Sequence, residues 1–296
     1  MTNAEHIHPD LRHVLGLPDK ERIAFMREPR WVGYERAVRI LDTLRDLMNQ
    51  PPRPRMQSLL IVGEPNNGKT TIIRRFQDLF GRGYVNEDAD PVKPVVVAEA
   101  PPSADEKGLY ISILECFHPS YRASAPAAKL RYQTTTWLQS CHVRIIVIDE
   151  FHSLLTGSSR EQRKAMNAIK FICNVAAVPI IGVGTREAVR VLHTDEQHAS
   201  RFDVATLPLW ELNKDFQRLL ASFEKILPLR KPSGLHRQEL AIPLHAISDG
   251  NLGNLHRLLT ECAAEAIKSG KEQIDKQIIE SKAWVRPTKG IREIAA

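Results

Sequence analysis

The sequence predicts an α/β protein in which a parallel sheet is flanked by helices and followed by a small C-terminal helical domain. Three observations carry this expectation. Short continuous apolar runs alternate with amphipathic stretches, the pattern of buried parallel strands and their crossover helices. One of these runs opens into a glycine-bearing loop that leads straight into a helix. From Asn213 onward the apolar runs disappear and only helical spacing remains.

Each element follows from its residues. Residues 1–30 are polar and broken by Pro9, Pro18 and Pro29, so helices there must be short, and the stretch reads as a partner segment. His6, His8 and His13 form a loose cluster without Cys or carboxylate neighbours, which fits a solvated leader better than a metal site. Tyr34 to Asn49 places Ala37, Val38, Leu41, Leu44, Leu47 and Met48 on one helical face, and Pro51, Pro52 and Pro54 end it. Strands are expected at Ser58 to Val62, Val95 to Ala98, Val143 to Ile148 and Pro179 to Val183. Helices fall between them at Thr70 to Phe80, Lys107 to Phe117, Ala127 to Ser140 and Arg160 to Val175. Helices at Asp215 to Ile226, Gln238 to Ile247, Leu252 to Ile267 and Ile274 to Ala283 make up the second domain. The expected division is 1–30 leader, 31–210 α/β core, 211–285 helical domain and 286–296 tail.

Composition excludes several classes. With 296 residues, 43% hydrophobic and 26% charged, the chain is neither disordered, collagenous nor a coiled coil. No run approaches the ~18 apolar residues of a membrane span, and the start has no apolar stretch behind a basic one, so no membrane partner is expected. Cys116, Cys141, Cys173 and Cys262 form no close pair and read as reduced thiols of a cytoplasmic protein. The 41 Lys+Arg against 35 Asp+Glu leave +6, which favours an anionic partner, and charge alone does not choose among nucleic acid, phosphate ligands and acidic membranes.

The strongest chemical signal is Gly63-Glu64-Pro65-Asn66-Asn67-Gly68-Lys69-Thr70, a full G-x-x-x-x-G-K-[ST] match between an expected strand and an expected helix, with Thr71 next in line. Glycines let the loop curl so that backbone N–H groups face phosphate oxygens, and the helix adds its positive end. Lys69 then neutralises β and γ phosphates, and the Thr70 hydroxyl holds Mg²⁺. The second signal is Ile145 to Ile148 running into Asp149 and Glu150. Acids at the carboxyl end of a strand lie where open α/β sheets bind ligands, so Asp149 reaches the Mg²⁺ shell and Glu150 polarises water. The adjacent Glu favours an ATPase carrying its own base.

These residues resemble the AAA+ ATPases over roughly 31–285, which implies an AAA+ P-loop NTPase core with a helical lid. The resemblance implies further roles. Val32-Gly33-Tyr34 is similar to the box that packs on adenine, and Gly182-Val183-Gly184-Thr185 to the sensor 1 strand end. Ser200-Arg201-Phe202 is similar to the box that presents an arginine finger to a neighbouring subunit. One departure stands out: Ser248-Asp249-Gly250-Asn251-Leu252-Gly253 puts glycine where the family's sensor 2 arginine normally stands, which leaves two readings open, Arg257 one turn later as a substitute or a lid that senses nucleotide without an arginine.

A narrower resemblance rests on Arg30 to Ala37, the phosphate loop, Ile148 to Glu150, Gly182 to Thr185, and Asp195-Glu196-Gln197 ahead of Ser200 to Phe202. In that order they are similar to the TniB family of transposition ATPases, relatives of TnsC and MuB. The resemblance implies a bacterial protein that assembles on duplex DNA as an ATP-bound ring or filament, recruits or activates a DDE transposase, and disassembles on hydrolysis. A target-selection protein is a further implied partner. It also directs attention to Lys107, Lys129 and Arg131, with the Thr134 to Thr136 run nearby read mainly as helix surface. A helicase-loader-like ATPase and a nucleotide-gated adaptor without DNA binding stay open as alternatives.

Overall fold

The structure, a computed structural model, describes residues 4–193 and 200–282. Asp195 to Gln197, Ala283 and the expected tail 286–296 lie outside the described residues. By their contacts the described residues form two units, one within 35–65 and 69–207, the other within 4–34, 66–68 and 208–282.

The first unit is built on strands β1 (Ser58–Gly63), β4 (Val95–Glu99), β5 (Ile145–Asp149), β6 (Ile180–Gly184) and β7 (Phe202–Leu207), in the order β4-β5-β6-β1-β7. All neighbouring pairs are parallel, and Ile148, Gly182 and Leu60 share one rung across the centre. β1 and β6 are buried along their whole length, which is why they read as unbroken apolar runs rather than alternating ones. Two short strands, β2 (Tyr84–Val85) and β3 (Pro91–Val92), form a separate antiparallel hairpin.

Helix α2 (Glu35–Met48) pairs with α3 (Lys69–Phe80), and α3 leans on β1 and β6. Helices α4 (Glu106–Glu115), α5 (Ala127–Ser140) and α6 (Ser159–Ala176) pack on one another, with α4 against β4; a short α7 (Val189–Leu192) follows β6. Their shared core holds Leu60, Ile113, Leu138, Ile146, Phe151 and Ile169. Helix starts are marked chemically: Asp105 caps α4 by accepting from the Lys107 and Gly108 amides, and Ser158 with Glu161 forms a reciprocal capping box on α6.

The second unit comprises α1 (Asp19–Arg27), α8 (Lys214–Glu224), α9 (Gln238–Ser248), α10 (Leu252–Lys268) and α11 (Lys276–Ser281). Phe216, Leu219, Leu244, Leu255, Leu258 and Cys262 fill its centre. The division differs from the one expected at the amino end, because residues 4–34 pack into this helical unit instead of standing apart as a leader. The reason is a set of buried anchors in a polar stretch: Ile7, Val14, Met26 and the fully buried Arg22. His6 is likewise engaged, its Nε2 lying 2.9 Å from the Leu229 carbonyl. No helix among the described residues is long and apolar enough to cross a membrane.

Candidate functional site

The loop after β1 turns twice through left-handed backbone, at Asn66 (φ 58°) and Gly68 (φ 85°). Glycine adopts that region freely and asparagine is among the few other residues that tolerate it, so the sequence Asn-Asn-Gly suits the turn. Gly63 is needed for a different reason: a Cβ there would lie 2.7 Å from the Leu207 carbonyl on the paired strand β7. The ammonium of Lys69, first residue of α3, curls back to donate to the carbonyls of Gly63 (2.9 Å) and Glu64 (2.8 Å). Burial pushes the Lys69 pKa down, against the pull of Glu150, Asp149 and Glu64, so the site holds a partly desolvated cation that gains from an arriving anion. Glu64 also pairs with Arg186 at 3.5 Å, and Pro65 and Thr71 are exposed beside it.

At the carboxyl end of β5, Asp149 Oδ2 accepts from Thr70 Oγ1 at 3.1 Å. A hydroxyl and a carboxylate meeting beside a lysine supply the hard oxygen donors that suit Mg²⁺ next to phosphate. Glu150 follows in left-handed backbone (φ 53°, ψ 35°), with its amide bonded to Asp149 Oδ1 and its half-exposed carboxylate free of any strand ladder. Its Oε2 lies 3.3 Å from His152 Nδ1, within ion-pair distance though not aligned as a hydrogen bond. Beyond β6, Thr185 Oγ1 is buried without a hydrogen-bond partner among the described residues. Such an orphan costs about 1–3 kcal/mol unless a ligand or water engages it. Because β5, β6 and β1 are parallel neighbours, the loop, Asp149, Glu150 and Thr185 all lie at the carboxyl end of the sheet.

His152 is a residue that sequence reasoning passed over, although it stands three positions after Asp149. Space there is tight: a Cβ on Gly184 would meet the His152 amide at 3.2 Å and Nδ1 at 3.4 Å. Glycine at 184 thus lets the imidazole lie over the end of β6.

Other expected residues are distributed as follows. Arg201 precedes β7, where its carbonyl accepts from the Ser58 amide and its guanidinium donates to Asn174 Oδ1 at 2.7 Å. That is the amino end of the sheet, opposite the phosphate loop. Lys107 is the second residue of α4, while Lys129 and Arg131 are exposed on the neighbouring α5, Arg131 over the Phe171 ring at 4.8 Å. Of the three threonines after them, Thr134 and Thr135 are buried and return their hydroxyls to helix carbonyls, so only Thr136 is helix surface.

In the helical unit Val32 and Tyr34 pack on its core, and Tyr34 meets Trp210 edge to face at 5.1 Å. The Tyr34 hydroxyl comes within 3.8 Å of a Cβ built on Gly68. Arg257 is half-buried on α10, one turn past Gly253.

A model of the family described as bacterial TniB protein matches residues 22–212, more than half of the chain. The chain belongs to the TniB family. TniB proteins are AAA+ ATPases associated with transposition. Solved structures agree on the fold. ORC2 of Aeropyrum pernix, in ADPNP–ADP complexes, has a TM-score of 0.59 at 15% identity over 88% of this chain and 70% of that one. Domain III of the replication initiation protein DnaA from Thermotoga maritima gives 0.54 at 15%, covering 95% and 99%. Drosophila ORC bound to DNA gives 0.57 at 11%, covering 93% and 66%. No curated protein matches the sequence significantly. At these identities the likeness establishes the AAA+ fold, a parallel five-stranded sheet flanked by helices with a helical C-terminal region.

Proposed function

We propose that this TniB protein is an ATP-hydrolysing transposition regulator that assembles on target duplex DNA with ATP bound, recruits or activates a DDE transposase, and leaves the DNA on hydrolysis. The observation that carries the reading is the meeting of Thr70 Oγ1 with Asp149 Oδ2 beside Lys69, with Glu150 next in the chain. In this reading the backbone N–H groups of Glu64 and of Asn66 to Thr71, with the Lys69 ammonium, bind the phosphates, Pro65 shapes the loop without donating, and Val32 and Tyr34 pack on adenine. Thr70 and Asp149 hold Mg²⁺, which when bound draws negative charge from the phosphoryl oxygens. Glu150 accepts a proton from the attacking water as its oxygen bonds to the γ-phosphorus and the bridge to ADP breaks. The orphaned Thr185 hydroxyl supplies a hydrogen bond to the γ-phosphate or that water.

DNA contacts fall to Lys107, Lys129 and Arg131, which address the phosphate backbone and give affinity more than sequence choice. Arg201 serves a neighbouring subunit's nucleotide in a homo-oligomer. A target-selection protein is a further partner of the assembled form.

Two variants test the reading by co-sedimentation with duplex DNA and by ATP turnover. K69A is expected to lose ATP binding and with it ATP-dependent DNA association. E150Q is expected to keep both while turnover falls about 10²- to 10⁴-fold, leaving the protein on DNA. Equal loss of DNA association in the two variants, or association indifferent to nucleotide, would sink the proposal.

A further inference from the structure

The arginine absent from the start of α10 leaves a question that the loop itself answers. At Gly253, the position where the arginine would stand, a Cβ would fall 2.2–2.3 Å from Oδ1, Cγ and Nδ2 of Asn66, so the Asn66 carboxamide lies flat on this glycine. The Gly253 amide donates to the Asn66 carbonyl at 2.9 Å, and Asn66 Nδ2 reaches Asn254 Oδ1 at 3.4 Å. Asn67, only 2% exposed, uses both ends of its side chain: Oδ1 accepts from the Leu252 amide at 3.2 Å, and Nδ2 donates to the Pro208 carbonyl at 3.0 Å. Residues 66–68 accordingly belong by contact to the helical unit, although the chain on either side belongs to the α/β unit.

We propose that Asn66, Asn67 and Gly253 are the positioning residues that tie the phosphate loop to helix α10 and make that helix respond to nucleotide, in place of a sensor arginine. The physical reason is local. The peptide units of residues 66–68 are the ones whose N–H groups a phosphate draws toward itself. Turning them also turns the Asn66 carbonyl and the Asn67 side chain, which are the acceptors for the first amides of α10. The first amides of a helix have no partner within it; here Asn251 Oδ1 caps Gly253 and Asn254, at 3.1 and 3.2 Å, while Leu252 bonds Asn67 Oδ1, so the Leu252 amide registers the loss or gain of its acceptor most directly. Asn66 is suited to this because it combines the left-handed backbone (φ 58°) with a carboxamide, where glycine would give the first without the second.

The inference rests on the nucleotide-binding part of the reading above, and hydrogen exchange on the full chain separates the two. In the nucleotide-free protein, N67A is expected to speed exchange of the Leu252 amide by about tenfold, the scale of the one hydrogen bond it loses, while N66G keeps the backbone carbonyl that Gly253 bonds and speeds the 253–254 amides by a smaller factor through loss of the side-chain contact with Asn254. N66G keeps the left-handed turn, so the effect reports the side chain. Adding ADP or a non-hydrolysable ATP analogue should change exchange of the Leu252 amide in the wild type and leave it unchanged in the N66G/N67A double variant, which lacks the Asn67 acceptor. G253A should disturb the same amides even though alanine is the better helix former, and adding N66G to G253A should restore them. A nucleotide response that survives in the double variant but vanishes in R257A would assign sensing to the arginine and overturn the proposal. Unchanged free-state exchange, or no rescue of G253A by N66G, would overturn it as well. If the wild type binds no nucleotide, the ATPase reading fails while the free-state comparison still decides whether the clasp exists.

Discussion

Arg22 carries the largest single-residue consequence outside the phosphate site. It is fully buried, donates to Glu272 at 2.5 and 2.7 Å and to the Pro228 carbonyl at 2.6 Å, and Arg230 reaches the same carboxylate at 3.0 Å. Removing one partner of a buried pair strands the other charge, so R22A should cost about 3 kcal/mol in urea unfolding. Burial would raise the Glu272 pKa, but Arg22 and Arg230 outweigh it and hold the group below its ordinary 4.5. A depressed carboxylate stabilises the fold fully above the unfolded-state pKa, and that contribution is lost as pH falls through the folded-state value. Unfolding free energy should therefore decline below about pH 4.5, and E272Q should flatten that part of the slope; an unchanged slope would exclude Glu272 as its source. None of this was legible in sequence, because Arg22 sits in a polar stretch and its partner is 250 residues away. Gly63 to Thr70 and Asp149–Glu150 were legible because their chemistry lies in contiguous residues. His152 lies close by in the chain, but its placement over the end of β6 comes from the fold. The clasp between Asn66, Asn67 and α10 needed the fold, since only an apparent defect at Gly253 pointed there.

Among the elements, those buried on both sides announced themselves. Strands β1, β4, β5 and β6 read as apolar runs because helices or neighbouring strands cover them, and the helices between read from their single apolar faces. Strand β7 did not. In Phe202–Leu207 only the two ends are buried, Val204 is 46% exposed, and Asp203 and Thr206 break the run, as expected of the sheet's edge. The β2–β3 hairpin, two residues per strand and mostly exposed, has too few apolar positions to leave any period. The β1–β7 pairing makes a test possible. A methyl at position 63 would face the Leu207 carbonyl at 2.7 Å and the Leu207 Cβ at 3.1 Å, and Leu207 cannot step aside without leaving the ladder. G63A should thus lower stability by about 1–3 kcal/mol, the usual scale of overpacking, as read by denaturant unfolding. A neutral G63A would mean that β7 does not hold this register.

For the molecule as a whole, a net charge of +6 is modest for one isolated DNA-binding subunit, because affinity grows with the number of phosphates neutralised. In the proposed assembly, identical subunits that repeat a few contacts along a duplex remove the difficulty, and the placement of Arg201 fits the role proposed for it there. Its carbonyl is bonded to the first residue of β1, whereas the phosphate loop leaves the last. A six-residue strand separates them, roughly 20 Å at the usual rise, too far for the guanidinium to reach its own chain's γ-phosphate. Arg201 can act on nucleotide only from a neighbour, through a head-to-tail contact. R201A should accordingly keep ATP binding yet lose the rise in turnover that comes with protein concentration or DNA. Mixed with E150Q, which retains nucleotide and an intact Arg201, it should recover activity, because about a quarter of randomly formed contacts join an intact Glu150 to an intact Arg201. Each variant alone supplies a baseline near zero. A mixture no more active than the average of its two components would show that Arg201 does not work across a subunit boundary.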